Sequence, residues 1–155
     1  TGDSLYSYPA STVKLPLAAL SLEKLNRMQL PAINKFTPVQ YDSSYPGQRA
    51  LFKNSTSSSG LPSIAQFIRK AFLISDNDAY NRMYEFVGQQ EINRSLHAKG
   101  YGRTRIVRQF MRLSEEENRE TNQVRFLDKS GNTIFTQAPA CNKDSFDFSR
   151  PAFLG

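Results

Sequence analysis

Cysteine and histidine are almost missing from this chain: its 155 residues contain one of each, Cys141 and His97. A single cysteine excludes a disulfide within the chain. With no histidine motif beside it, Cys141 reads as a small packing residue rather than a nucleophile. His97 stands alone on a polar helix, and no metal-ligand spacing surrounds it, so neither a metal nor any other cofactor is expected. Long apolar runs are also missing. None approaches the roughly 20 residues a membrane span needs, and the first residues lack a charged-then-apolar signal, so an exported protein would have shed its signal already. The 20 Lys and Arg outnumber the 14 Asp and Glu, for a net charge of +6. They are spread along the chain without a polybasic block or an aromatic repeat, which argues against nucleic acid as a partner.

What is present is enough for a globular core. The chain is 39% apolar and 22% charged, a balance that lets one domain of this length bury a real interior. The stretch Tyr8-Pro9-Ala10-Ser11-Thr12-Val13-Lys14 leads into the apolar run Leu15-Pro16-Leu17-Ala18-Ala19-Leu20. A helix from about Ser11 to Met28, with Leu17, Leu20, Leu22, Leu25 and Met28 as its apolar positions, puts the Ser11 hydroxyl and the Lys14 amine on one face, a turn apart. A nucleophile and a base then meet beside the unpaired N–H groups and positive dipole end of a helix, where an oxyanion is favoured. The bland alternative is that Ser11 is only an N-cap. Pro16 is expected to kink or loosen the first turn.

Further on, the chain reads in order as an extended lead-in from Thr1 to Tyr8, the first helix, and a long irregular segment from Ala32 to Gly60. Asn54-Ser55-Thr56 in that segment matches a glycosylation acceptor by coincidence. From Pro62 a second helix carries Ile64, Phe67, Ile68, Ala71 and Phe72 at helical spacing and delivers Ser75-Asp76-Asn77. A third begins at Asp78, capped by its carboxylate, and stops at Gly88 with Tyr80, Met83, Tyr84 and Val87 inside. A fourth spans about Gln89 to Lys99. A hairpin follows, with Val124 to Leu127 and Thr133 to Thr136 flanking the turn Asp128 to Asn132. From Gln137 on there is no periodicity. The expected organisation is a helical core over about residues 10–100 and a loop-and-hairpin extension over 101–155.

Two motifs with their flanks carry a resemblance. Tyr-Pro-Ala-Ser11-Thr-Val-Lys14 is similar to the aromatic-Pro-x-Ala-Ser-x-x-Lys of the serine beta-lactamase and penicillin-binding protein family. Leu-Ile-Ser75-Asp76-Asn77-Asp-Ala-Tyr-Asn is similar to its Ser-Asp-Asn-x-Ala-x-Asn. The resemblance implies the following roles. Ser11 attacks a carbonyl, and its backbone N–H contributes to the oxyanion hole; Lys14 acts as base; Ser75 relays a proton to the leaving nitrogen; Asn77 binds the substrate amide or Lys14; Asp76 fixes the loop. The alternative for Ser75 and Asn77 is a helix C-terminal cap.

The same resemblance implies a fold: mainly α with a small β-hairpin, the helical subdomain of the α+β beta-lactamase or transpeptidase fold, with most of the core sheet missing. Lys129-Ser130-Gly131 has the letters of the family's Lys-Thr/Ser-Gly but reads as a hairpin turn, so that motif is expected beyond Gly155. No Glu-x-x-Leu-Asn occurs, and Glu115, Glu116 and Glu117 read as a solvated face or helix start rather than a deacylating base. The implied activity is acyl-enzyme hydrolysis of a beta-lactam or related amide in a periplasmic or otherwise exported protein, with the segment inactive alone. Two alternatives stay open, a penicillin-binding D,D-peptidase or sensor acting on a peptidoglycan-like substrate, and a non-catalytic helical module.

Overall fold

The computed structural model describes residues 9–44, 49–55, 57 and 60–145, so the lead-in from Thr1 to Tyr8 and the third residue of the glycosylation acceptor lie outside the described residues. A 3₁₀ turn, Ala10–Val13, runs directly into helix α1, Lys14–Met28. Pro16 is then the third residue of α1, in its first turn, where the fixed φ of proline is compatible with a helix. The first turn of the expected Ser11-to-Met28 helix is 3₁₀ rather than kinked or loosened α.

The buried stripe of α1 is Lys14, Leu17, Ala18, Ser21 and Leu25, with Leu20 beside it. These positions step by three and four residues, so the lysine belongs to the inward face by helical period. Leu22 falls off that face and is exposed, while Ser21 replaces it inside, its hydroxyl donating to the Leu17 carbonyl at 2.8 Å. Gln29, left-handed at φ 48°, ends the helix ahead of Leu30-Pro31.

Helix α2, Ile64–Leu73, is capped by Ser63, whose side chain accepts from the Gln66 N–H, and buries Ile64, Phe67 and Ala71. Helix α3 is Asn77–Val87. Its cap is Asp76, which accepts from the Ala79 N–H at 2.9 Å, and not Asp78 as the sequence suggested. Every residue from Ala79 to Val87 is buried, because α3 lies at the centre with α1, α2 and α4 packed round it. Gly88, at φ 89°, ends α3 and opens α4, Gln89–Ala98. Lys24 of α1 reaches the Phe86 and Val87 carbonyls, supplying donors to the C-terminal end of α3.

Among the described residues, five short strands complete an α+β fold: β1 Val39–Tyr41, β2 Glu120–Thr121, β3 Val124–Leu127, β4 Thr133–Gln137 and β5 Ala140–Cys141. The expected hairpin is β3–β4, pairing Phe126 with Phe135, and its sheet gains β1 on the other edge, pairing Val39 with Phe126. This sheet seats on the helices through Phe126 against Phe86 and Tyr41 against Phe67, both edge-to-face.

The segment read as irregular thus supplies a strand, and the stretch after Gln137 supplies another, since β5 pairs with β2. Three- and two-residue strands are too short to show an alternation in sequence. Cys141 is exposed on β5, so it is not the packing residue expected. Among the described residues no helix is long and apolar enough to cross a membrane.

Candidate active site

Ser11 sits in the 3₁₀ turn at the head of α1, exposed, immediately after Ala10, whose φ of 44° is a left-handed conformation that side chains rarely adopt. Such strain costs on the order of 1–3 kcal/mol and persists where surrounding structure imposes it, most often at functional sites. Lys14, one turn on, is 2% exposed with its amine turned back toward Ser11. A cation in such a place needs oxygen partners or must shed its charge.

Four oxygens surround the Lys14 Nζ: Ser75 carbonyl O at 2.5 Å, Ser75 Oγ at 2.8 Å, Asn77 Oδ1 at 2.9 Å and Ser11 Oγ at 3.3 Å. The two serine hydroxyls are themselves 3.0 Å apart. The carbonyl and the amide oxygen can only accept, so they take two N–H groups of the amine. The hydroxyls can donate or accept, so the remaining site on Nζ can be a third proton or a lone pair receiving one from a serine. Burial pushes the Lys14 pKa below its ordinary 10.5, while the charge of Asp76 pulls the other way. The arrangement can take a proton from one hydroxyl and pass it to the other.

The loop that faces Lys14 is held by its own backbone. Ser75 is left-handed at φ 53°, which directs its carbonyl and its hydroxyl to the same amine. Asp76 caps the start of α3 by accepting from the Ala79 N–H and lies 3.5 Å from Lys70 of α2. Asn77 then opens α3, with Tyr80, Asn81 and Tyr84 following on its face.

Those three residues hold a segment that sequence reasoning did not include in the site. Phe110 stacks on Tyr80 with centroids 4.5 Å apart, and its ring centre is 5.4 Å from the Lys14 Nζ. Its N–H donates to Asn81 Oδ1 at 2.7 Å, and the Tyr80 hydroxyl donates to the Arg108 carbonyl at 3.0 Å. Asn118 is buried and clamps the segment, accepting from the Gln109 N–H at 2.7 Å and donating to the Ser114 carbonyl at 2.7 Å; its own carbonyl accepts from Tyr84. The available signal was spacing. Phe110 stands three residues before Leu113, with phenylalanine where a Glu-x-x-Leu would have its glutamate.

The other candidates lie elsewhere. Lys129, Ser130 and Gly131 form the exposed hairpin turn, with Gly131 left-handed at φ 86° and Asp128 accepting from the Ser130 N–H. Glu115 and Glu116 are exposed, and Glu117 exchanges bonds with Ser114 in a capping box that opens a 3₁₀ turn. His97 is exposed, with Nε2 3.1 Å from the Thr104 carbonyl. Among the described residues no group of His, Cys, Asp and Glu is placed to hold a metal ion.

The model of the beta-lactamase enzyme family matches residues 3–135, a span that includes both polar clusters and the Phe110 segment. No curated protein and no solved structure matches the chain. The family match covers most of the sequence, and on that ground this chain belongs to the beta-lactamase enzyme family.

Proposed function

We propose that the chain carries the acylation machinery of a serine hydrolase acting on a beta-lactam or a related amide. Ser11 Oγ attacks the carbonyl, Lys14 in its neutral form takes the Ser11 proton, and the Ser75 hydroxyl delivers a proton to the leaving nitrogen. Asn77, with its amide oxygen on Lys14, has its NH₂ to offer a substrate carbonyl. The Ser11 N–H, at the head of the helix, contributes to the oxyanion hole, where one donor is typically worth about 3–4 kcal/mol. The observation that supports this best is the single amine within 3.3 Å of Ser11 Oγ and within 2.9 Å of both Ser75 Oγ and Asn77 Oδ1.

In the family that the motifs resemble, a Lys-Thr/Ser-Gly on a strand holds the substrate carboxylate. Lys129-Ser130-Gly131, in an exposed turn, does not supply it. The reading therefore treats these residues as the helical part of the α+β beta-lactamase fold and expects no steady turnover from the 155 residues alone. The proposal extends, through the family resemblance, to a periplasmic or otherwise exported location.

A second reading, a penicillin-binding peptidase or sensor that acylates and turns over slowly, is favoured by the Phe110 ring beside Lys14. A fluorescent penicillin tests the shared step. Covalent labelling of the intact protein that disappears in Ser11→Ala supports both readings, and no labelling rejects both. Rapid hydrolysis of a chromogenic cephalosporin then selects the first over the second.

A further inference from the structure

A second concavity, about 180 Å³ in volume, is lined by none of Ser11, Lys14, Ser75 and Asn77. Helix α2, the first turn of α3 and the chain after β1 build it. Leu51, Phe67 and Ala79 supply apolar wall, and Lys53, Lys70 and Asp78 supply charge. The walls are pinned: Leu51 exchanges two backbone hydrogen bonds with Tyr41 of β1, at 2.8 and 3.0 Å, and the Asn54 N–H donates to the Gly60 carbonyl at 2.9 Å. We propose that this cavity is a site for a small carboxylate with a short apolar body, held by Lys53 and Lys70, and that its occupant shares Lys70 with the active-site loop.

The charges select an anion. Asp78 lies 3.5 Å from the Arg82 Nε, so its carboxylate is offset within α3. Lys53 forms no ion pair among the described residues, and Lys70 forms a long one, 3.5 Å to Asp76. Charge-assisted bonds are ordinarily about 2.7–2.9 Å, so the Lys70 ammonium keeps N–H groups to give to a second anion. The apolar wall then favours an anion that carries a hydrocarbon part over a bare oxyanion, by about fourfold for each CH₂ buried. Size agrees, since the cavity has room for about six atoms the size of a water molecule at about 30 Å³ each. Butyrate has that many non-hydrogen atoms.

Lys70 ties the cavity to the active-site loop. Its carbonyl accepts from the Asp76 N–H at 3.3 Å while its ammonium faces the Asp76 carboxylate. Asp76 stands between Ser75 and Asn77, the two residues that hold Lys14. A carboxylate bound to Lys70 competes with Asp76 for one ammonium, and its arrival is felt at the Asp76 N–H. The inference does not depend on Ser11 acting as a nucleophile.

The test titrates the intact ¹⁵N-labelled protein with sodium butyrate, sodium acetate and inorganic phosphate at constant ionic strength, following the backbone amide resonances. Butyrate is expected to shift Asn54, Ser55, Asp76 and Ala79 saturably and to bind about tenfold more tightly than acetate, with phosphate weaker than butyrate. Lys53→Gln, on an exposed side chain, is expected to weaken butyrate about tenfold. Lys129→Gln, in the exposed hairpin turn, is expected to leave it unchanged. No saturable shift, shifts centred on other residues, phosphate bound as tightly as butyrate, or equal affinity in Lys53→Gln and the wild type overturns the carboxylate site. Saturable shifts at Asn54 and Ser55 that leave Asp76 unmoved overturn the link to the active-site loop.

Discussion

Ser75 gives Lys14 two oxygens at once, its carbonyl at 2.5 Å and its hydroxyl at 2.8 Å, from a backbone held at φ 53°. The amine is oriented by the first and exchanges protons with the second. A reaction that uses neutral Lys14 speeds up as the amine loses its proton. Because burial lowers the Lys14 pKa, acylation should rise with pH and level off about a midpoint below 10.5. Lys14→Arg, which cannot deprotonate, should slow acylation by on the order of 10²-fold or more. Stopped-flow acylation across pH checks both. A midpoint at 10.5 or higher, or an arginine variant of normal rate, contradicts the assignment.

Asp76 joins the fold to the site, since its one side chain caps α3 between Ser75 and Asn77. Asp76→Ala should cost about 1 kcal/mol in chemical denaturation through the lost cap. It should also slow penicillin labelling, because both neighbours of Lys14 lose their support. Asp76→Asn, which can still accept from the Ala79 N–H, should keep most of both properties. Equal stability of the alanine variant and the wild type counts against the cap.

Asn118 clamps the Phe110 segment with both ends of its side chain and its own carbonyl. Removing it leaves buried polar groups without partners, so Asn118→Ala should cost about 2 kcal/mol or more. Hydrogen exchange should show the loss concentrated at residues 108–118. Uniform exchange across the molecule contradicts a local clamp.

Glu85, buried in α3 beside Arg82 and Asn122 with Asp78 and Tyr41 nearby, has its pKa raised from 4.5 to about 7, chiefly by burial. A carboxyl with a raised folded pKa binds more protons in the fold than in the unfolded chain. Its contribution is therefore full below about 4.5 and is lost as pH rises through about 7. Thermal unfolding across this range should show the wild type losing stability relative to Glu85→Gln. Parallel curves contradict the shift.

Much of this could be read from residues, and the rest failed for identifiable reasons. Helical period alone puts Ser11 and Lys14 together and aligns Lys14 with Leu17, Ala18, Ser21 and Leu25. It could not tell Ser21 from Leu22, since a serine whose hydroxyl bonds back to the Leu17 carbonyl can be buried and a leucine one step round can be exposed. Asp76 and Asp78 are equal candidates as caps on propensity. The left-handed turn at Ser75 decides between them and also brings the Ser75 carbonyl to Lys14, which no residue preference foretells. Strand β1 is three residues long, and its partner is far along the chain. Phe110 was missed because a phenylalanine among arginines looks like surface, and its position depends on the bonds made by Asn81 and Tyr80.

The most direct measurement is peptide mapping of the intact protein after reaction with a penicillin. One penicillin-sized mass increase should appear on the peptide containing Ser11; it should be absent from Ser11→Ala and should form more slowly in Ser75→Ala. An adduct on another residue, an adduct surviving in Ser11→Ala, or none at all would contradict Ser11 as the nucleophile.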